Sequence, residues 1–392
     1  VLQIFSDEPY LSGGVDSGMV VALAQHLRGE PIPTFTIRIA HPGLDETGTA
    51  SLTARHLGAE SIIVPCRNKD VQAAECPVID TSCAAVLRLA RVVHERGYKV
   101  ALTGEGSDEW LAGYPWYKID QILRRLDFVP GLPVSQLALR AYLRLTGAPR
   151  FPRSYAGRIH KAVGGHNAWI NVYGLMSLSK LRFFSPALFE AVADRVPYAD
   201  LGLNAERLRR LHPLNRGLYL GARIMLPGLL MQAKGDRVAM HSSVETRYPF
   251  LDEDLFGFLA CLHPRWKLRG LRDKYLLRLV AERWLPPSIA RRPKAIFRAP
   301  FDSFHTEQAP GFVEQLVSEQ SLRRTGYFCA QAVSYWQRTF RELRPGSGQR
   351  LSVEMGLAGV IATQLWHHTF LDGSLADLPS LAITSRPRLV AS

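Results

Sequence analysis

The chain has 392 residues, 47% of them hydrophobic and 21% charged, enough for one large or two ordinary domains with a substantial core, which excludes a disordered protein. No run of about 18 apolar residues occurs, and the N-terminus lacks the basic, apolar, small-residue order of a signal peptide, so a soluble cytoplasmic protein with no membrane partner is expected. The net charge of +13 favours anionic partners, but the basic residues are spread along the chain and no nucleic-acid signature stands out, so nucleic acid is disfavoured.

Tyr10 and Leu11 read as the end of a first strand, and Gly18 to Leu27 as the helix that follows. Between them lies Ser12-Gly13-Gly14-Val15-Asp16-Ser17. A strand turning through two glycines into a helix aims unpaired NH groups and a positive dipole end at one point, which suits phosphate. The hydroxyls of Ser12 and Ser17 add donors. Asp16 would repel a phosphate there unless a divalent cation lay between them, so the motif implies magnesium.

The pattern then alternates. Thr34 to Ile39 is a β-branched strand, Asp45 to Leu57 a helix closed by Gly58, and Ser61 to Val64 a third strand. Thr81 or Ser82 caps a helix running to about Arg96, stopped by Gly97, and Lys99 to Thr103 is a fourth strand. Strand and helix in this order predict an α/β fold, a parallel doubly wound sheet, with ligands beyond the carboxyl ends of its strands. The first strand ends in the loop just described, and the fourth ends in Gly104-Glu105-Gly106-Ser107-Asp108-Glu109. If those strands are neighbours, Asp16 and Asp108 form the pair of carboxylates that a magnesium ion takes, with phosphate oxygens and water completing its shell.

Beyond Tyr114 the strand signals fade. Amphipathic stretches at Gln136–Leu145, Glu206–Leu211, Leu255–Leu262, Lys274–Trp284 and Met355–Leu371 make the second part mainly helical. Residues 1–125 are therefore read as an α/β core and 126–392 as a helical part. His41, Trp110, Trp116 and Tyr117 are candidates for lining a substrate pocket, with core packing as the ordinary alternative. Cys66, Cys76, Cys83, Cys261 and Cys329 are odd in number and contain no CxxC, so they read as packing thiols rather than a disulfide framework or zinc site.

The SGGxDS pattern resembles the pyrophosphate (PP) loop of the ATP pyrophosphatase superfamily, whose HUP-like fold serves enzymes that cleave ATP between its α and β phosphates; no Gly-Lys-Ser/Thr follows, so it is not a Walker loop. Three further motifs narrow the resemblance: Ala101 to Glu109 through Gly113-Tyr114; Asp236-Arg237 with Ser243 to Asp252; and Lys274 to Arg278 with Leu285-Pro286 and Arg291-Arg292-Pro293-Lys294. Together, in this order, they resemble the synthetase domain of the asparagine synthetase B family across most of the chain. The resemblance implies ATP and magnesium as cofactors, activation of a carboxylate such as aspartate to an acyl-adenylate with release of pyrophosphate, and attack by ammonia, normally from glutamine, or by an amine. It makes Lys294 and Lys274 phosphate-side lysines and places Ile37, Thr103 and Gly104 around adenine, beside the phosphate loop of Ser12, Gly13, Gly14, Asp16 and Ser17. Glu105 becomes a proton acceptor or a residue that orients the adenylate. It stands where β-lactam synthetases of the family carry tyrosine, which favours intermolecular amidation over ring closure. Glu245 and Arg247 look like a buried ion pair framing the site.

The alternatives are a β-lactam-synthetase-like or tailoring amide ligase, a tRNA-modifying pyrophosphatase, and a non-catalytic ATP-binding relative. Glutamine-dependent members carry an N-terminal nucleophile domain beginning with cysteine, and that glutaminase domain is not among these 392 residues, whose first cysteine is Cys66. The join at Tyr10-Leu11 and the stretch from Val64 to Cys76 are short against the family pattern, as fits a longer enzyme of which these residues are part. The family admits a homodimer, and the helical half is expected to choose the substrate.

Overall fold

The computed structural model describes residues 7–39, 45–65, 82–126, 153–174, 178–294, 310–344 and 347–378, with isolated positions between 134 and 141. Gln136–Leu145 falls largely outside the described residues, and His41, Cys66 and Cys76 wholly outside them. The first half runs β1 (Asp7–Pro9), α1 (Val15–Arg28), β2 (Pro33–Arg38), α2 (Thr47–Leu57), β3 (Glu60–Pro65), α3 (Ser82–Glu95), β4 (Val100–Leu102), α4 (Ser107–Leu111) and α5 (Pro115–Leu126). The first strand is thus the polar segment that leads into the apolar pair. Its pairing comes from the backbone of β4, and Tyr10 continues it by donating its amide to Leu102 O at 2.9 Å.

All pairings among the first five strands are parallel. β1 pairs with β4 (Pro9 opposite Leu102), β4 with β5 (Glu245–Arg247), and β2 with β3. A bridge from Tyr10 to Phe35, with the Leu11 amide on Phe35 O at 2.9 Å, joins the two small sheets. β1 and β4 are therefore neighbours, and the loops at their carboxyl ends open side by side. Fully buried Phe35, with Ile62, Val64, Ala101 and Val93 of α3, packs one face. Val15, Met19, Ala22 and Leu102 pack the other, against Leu277, Leu285 and Ile289 from the C-terminal half. Each such fully buried large side chain contributes about 1.5–3 kcal/mol.

The rest of the described chain is mainly helical. The helix Pro213–Met225 packs against Tyr117 of α5 and against Trp169, with Trp116 in the same buried cluster, so Trp116 and Tyr117 belong to the core. The long last helix spans Gly348–Phe370, starting a full turn and more before the apolar stretch that announced it, because Ser347 caps it by accepting the Arg350 amide. Of the described cysteines only Cys83 is buried; Cys261 is exposed at the end of a helix, so the packing role expected of it does not apply. Among the described residues, no helix is long and apolar enough to cross a membrane.

Candidate active site

The loop after β1 is closed by its own hydroxyls. The Ser12 amide donates to Ser17 Oγ at 3.1 Å, the two hydroxyls lie 2.9 Å apart, and the Gly14 amide donates to Ser12 Oγ at 3.2 Å. Gly14 is an extended N-cap with no side-chain capping bond, so the amides of the first turn of α1 are not claimed by a cap. The second loop meets the first with no side chain between them. A Cβ on Gly104 would lie 2.9 Å from Asp16 Cβ and 3.1 Å from the Ser17 amide nitrogen, contacts that only glycine permits.

Four charged side chains meet where the loops touch. Asp16 and Asp108 are 7% and 5% exposed. Lys274 Nζ stands 2.5 Å from Asp16 Oδ2 and 2.7 Å from Asp108 Oδ1. Lys294 Nζ is 2.6 Å from Asp108 Oδ2 and 3.8 Å from Asp16 Oδ2. The two lysines differ in access. Lys274 is sealed, whereas the Lys294 side chain keeps 23% of its surface. Lys274 also departs from the helix expected to begin with it: it is the N-cap of Tyr275–Ala281 in the left-handed region, φ 49°. Its amide donates to Leu111 O at 3.0 Å and its carbonyl accepts from the Arg278 amide at 2.9 Å, so the surroundings hold a conformation that costs a non-glycine residue about 1–2 kcal/mol.

The acidic residues are tuned differently. Burial alone would raise Asp108, but Lys274 and Lys294 outweigh it and bring its carboxyl down to about 2. Burial raises Glu105, helped by the charges of Asp108 and Asp16 and opposed by Lys294. Glu109, on the inner side of α4, is raised to about 8 by burial and then by Asp108 and Glu105, although Tyr114 OH donates to its Oε1 at 2.5 Å. Burial lowers Lys294, but Asp108 and Asp16 overcome this and raise it, so it stays charged.

Asp108 Oδ1 has no well-aligned hydrogen-bond donor despite burial, since Lys274 Nζ approaches it off the bonding direction. A hard cation suits such an oxygen. Among the described residues no group of three or more His, Cys, Asp or Glu is arranged as a metal site. Two buried carboxylates beside a helix start that no side chain caps nevertheless suit an ion that draws most of its ligands from substrate and water.

Several site residues were not singled out from the sequence. Ser107, fully buried, donates to Asp16 Oδ1 at 2.6 Å; its place between Gly106 and Asp108 in an acidic loop was the available signal. Arg292 donates to Gly13 O at 2.6 Å and pairs with Glu46 at 2.8 Å. Other expected residues have these surroundings. Thr103 hydrogen-bonds through its amide to Arg247 O at 2.9 Å, while Ile37 lies on β2 against the Phe35 and Ile62 cluster. Trp110 donates to Phe250 O at 3.0 Å. Glu245 and Arg247 do pair, at 2.8 Å, but their side chains are 56% and 39% exposed. They alternate along β5, so both side chains leave one open face, and the expected burial does not occur.

An asparagine synthase family model matches residues 3–368. The chain is similar to the amidase chyE of Penicillium rubens, 25% identical over 355 residues that cover 81% of this chain and 53% of that protein. It is similar to a putative glutamine-hydrolyzing asparagine synthetase of Mycobacterium tuberculosis, 27% identical over 380 residues, covering 93% and 55%. It also resembles the glutamine-hydrolyzing asparagine synthetase 1 of Bacillus subtilis, 26% identical over 328 residues, covering 80% and 50%. The chain spans about half the length of the curated relatives it matches.

Proposed function

Since this chain belongs to the asparagine synthase family, we propose that it is the ATP-using synthetase portion of an amide-forming ligase. It joins a carboxylate, aspartate or a related acid, to AMP with release of pyrophosphate, then passes the acyl group to ammonia or an amine. The observation that carries this reading is the meeting of Asp16 and Asp108, from adjacent loops, with the ammonium groups of Lys274 and Lys294. Residues 1–125 are taken as the ATP-binding core and 126–392 as the helical part that completes the site. The order β3-β2-β1-β4-β5, read through the Tyr10 bridge, supports a doubly wound sheet of the PP-loop type.

A carboxylate oxygen attacking the α-phosphorus forms a new O–P bond as the bond to the pyrophosphate oxygen breaks, and two anions must approach while charge builds on the leaving group. Asp16 and Asp108 would hold magnesium, which when bound offsets that repulsion. Lys274, sealed against both acids, keeps the carboxylates together. Lys294 is partly exposed and permanently charged, so it is the group free to leave Asp108 and follow the pyrophosphate. In the second half the nitrogen forms the C–N bond, the C–O bond to AMP breaks, and Glu105, raised by burial, takes the proton that nitrogen must lose.

With magnesium and ATP, an acid such as aspartate should yield AMP and pyrophosphate, tested over a panel of carboxylates with ammonia and amines. Asp16→Ala should abolish pyrophosphate release and Lys294→Ala should cut it to a small measurable residue, both while remaining folded. Release of ADP instead would overturn the proposal.

A further inference from the structure

The two lysines are borne by separate segments, and a single guanidinium touches both. Arg278, 5% exposed, lies on the helix that Lys274 caps. Its Nε donates to Asp273 O at 2.9 Å and its Nη2 to Asp273 Oδ2 at 2.8 Å, on the residue directly before Lys274. Its Nη1 donates to Ala290 O at 2.8 Å and to Arg292 O at 2.7 Å, two residues before Lys294. Ala290 ends the short helix Pro287–Ala290, so its carbonyl is one that a helix terminus leaves without an internal partner. Asp273 is gripped from a third side by Lys118 of α5, Nζ to Oδ1 at 2.5 Å. Burial would raise the Asp273 carboxyl, but the hydrogen bonds from Lys118 and Arg278 outweigh it and hold it below the ordinary range.

From this hub the contacts run to both acidic loops. One branch passes through Asp273 to Lys274, and so to Asp16 and Asp108. The other passes through Arg292, whose side chain reaches Gly13 O, and on to Lys294 and Asp108. Neither segment contributes to the parallel sheet, so pairing of strands does not set their separation.

We infer that Arg278 is a positioning residue for the reaction: by binding the backbone on both sides it sets the spacing of Lys274 and Lys294, and so holds both ammonium groups on the Asp16–Asp108 pair. The inference rests on the reading of that pair as the phosphate-side machinery. Arginine is required because four acceptors arrive from two directions at one planar fork; the compact ammonium of lysine cannot reach both.

Arg278→Lys keeps the charge and loses the fork. Pyrophosphate release per folded molecule should fall about 100-fold, the scale of a misplacement of about 1 Å at a reacting centre. On the residual pyrophosphate release of a Lys294→Ala background the same change should cost far less, because one of the two lysines whose spacing it sets is gone. Arg278→Ala should regain part of its activity when guanidinium is added at millimolar concentration, and methylammonium should not replace it. Full activity of Arg278→Lys, or an equal loss with and without Lys294, overturns the inference. So does guanidinium that restores the melting temperature of Arg278→Ala without restoring turnover, since that marks a purely structural role. Full activity of Lys294→Ala on its own would instead defeat the underlying reading of the site.

Discussion

Gly113→Ala places one methyl group at the junction of the two acidic loops. A Cβ there would lie 1.8 Å from Asp108 Oδ1 and 2.2 Å from Lys274 Cε, where contacts under 3.0 Å do not persist. To reach 3.0 Å, Asp108 Oδ1 must retreat by about 1.2 Å and Lys274 Cε by about 0.8 Å, and there is little room: Asp108 is buried, and Lys274 is sealed with its backbone fixed from both sides. The φ of Gly113 is not among the positive values, so alanine is not opposed by the backbone itself and the effect isolates the collision. Overpacking of this kind costs about 1–3 kcal/mol of stability. A shift of about 1 Å in Asp108 or Lys274 lowers turnover about 100-fold. Urea unfolding and magnesium-dependent pyrophosphate release on the same preparation read both quantities. A Gly113→Ala protein as stable and as active as the parent would refute the packing of Asp108 and Lys274 described above.

Gly257→Ala is the converse, in the helix Glu253–Cys261 with nothing within 4 Å of the added carbon, and should stabilise by about 0.5–1 kcal/mol with activity unchanged. Glu109, held near 8 against an ordinary 4.5, keeps its proton longer in the folded state. Its contribution to stability is complete below about pH 4.5 and is lost as pH rises through about 8, so Glu109→Gln should flatten the stability profile across that window in magnesium-free urea melts. Lys267 is buried, lowered by burial to about 8, and among the described residues finds only Asn215 Oδ1 at 3.4 Å as a hydrogen-bond partner. Its unfolded form binds more protons between about pH 8 and 10.5, so stability should rise with pH there. Lys267→Met should remove that rise and stabilise the protein at pH 7 by about 1–2 kcal/mol; a destabilised variant would show that the ammonium makes a favourable buried contact.

Periodicity and turn chemistry located β2, α2, β3, α3 and β4 to within a few residues, because strand alternation, helix caps and glycine stops are local properties. They placed the end of β1 at Tyr10-Leu11 but not its polar Asp7-Glu8-Pro9, which becomes a strand only because β4 lies beside it. The resemblance also made a buried pair of Glu245 and Arg247, since two opposite charges two residues apart carry no mark of which sheet face they leave.

By itself the sequence determined which residues are chemically equipped for the site: the two glycine-bearing acidic loops, the lysines, and the family to which their order belongs. Only the tertiary structure decided that Asp16 and Lys274, 258 residues apart, share a hydrogen bond, that Lys274 is sealed while Lys294 is not, and that Arg278 ties their segments together. The physical reason is range. Local propensity acts over a few residues, whereas the meeting of these charges follows from a parallel register and from helices packed across the whole chain, whose burial offsets the cost of desolvating them.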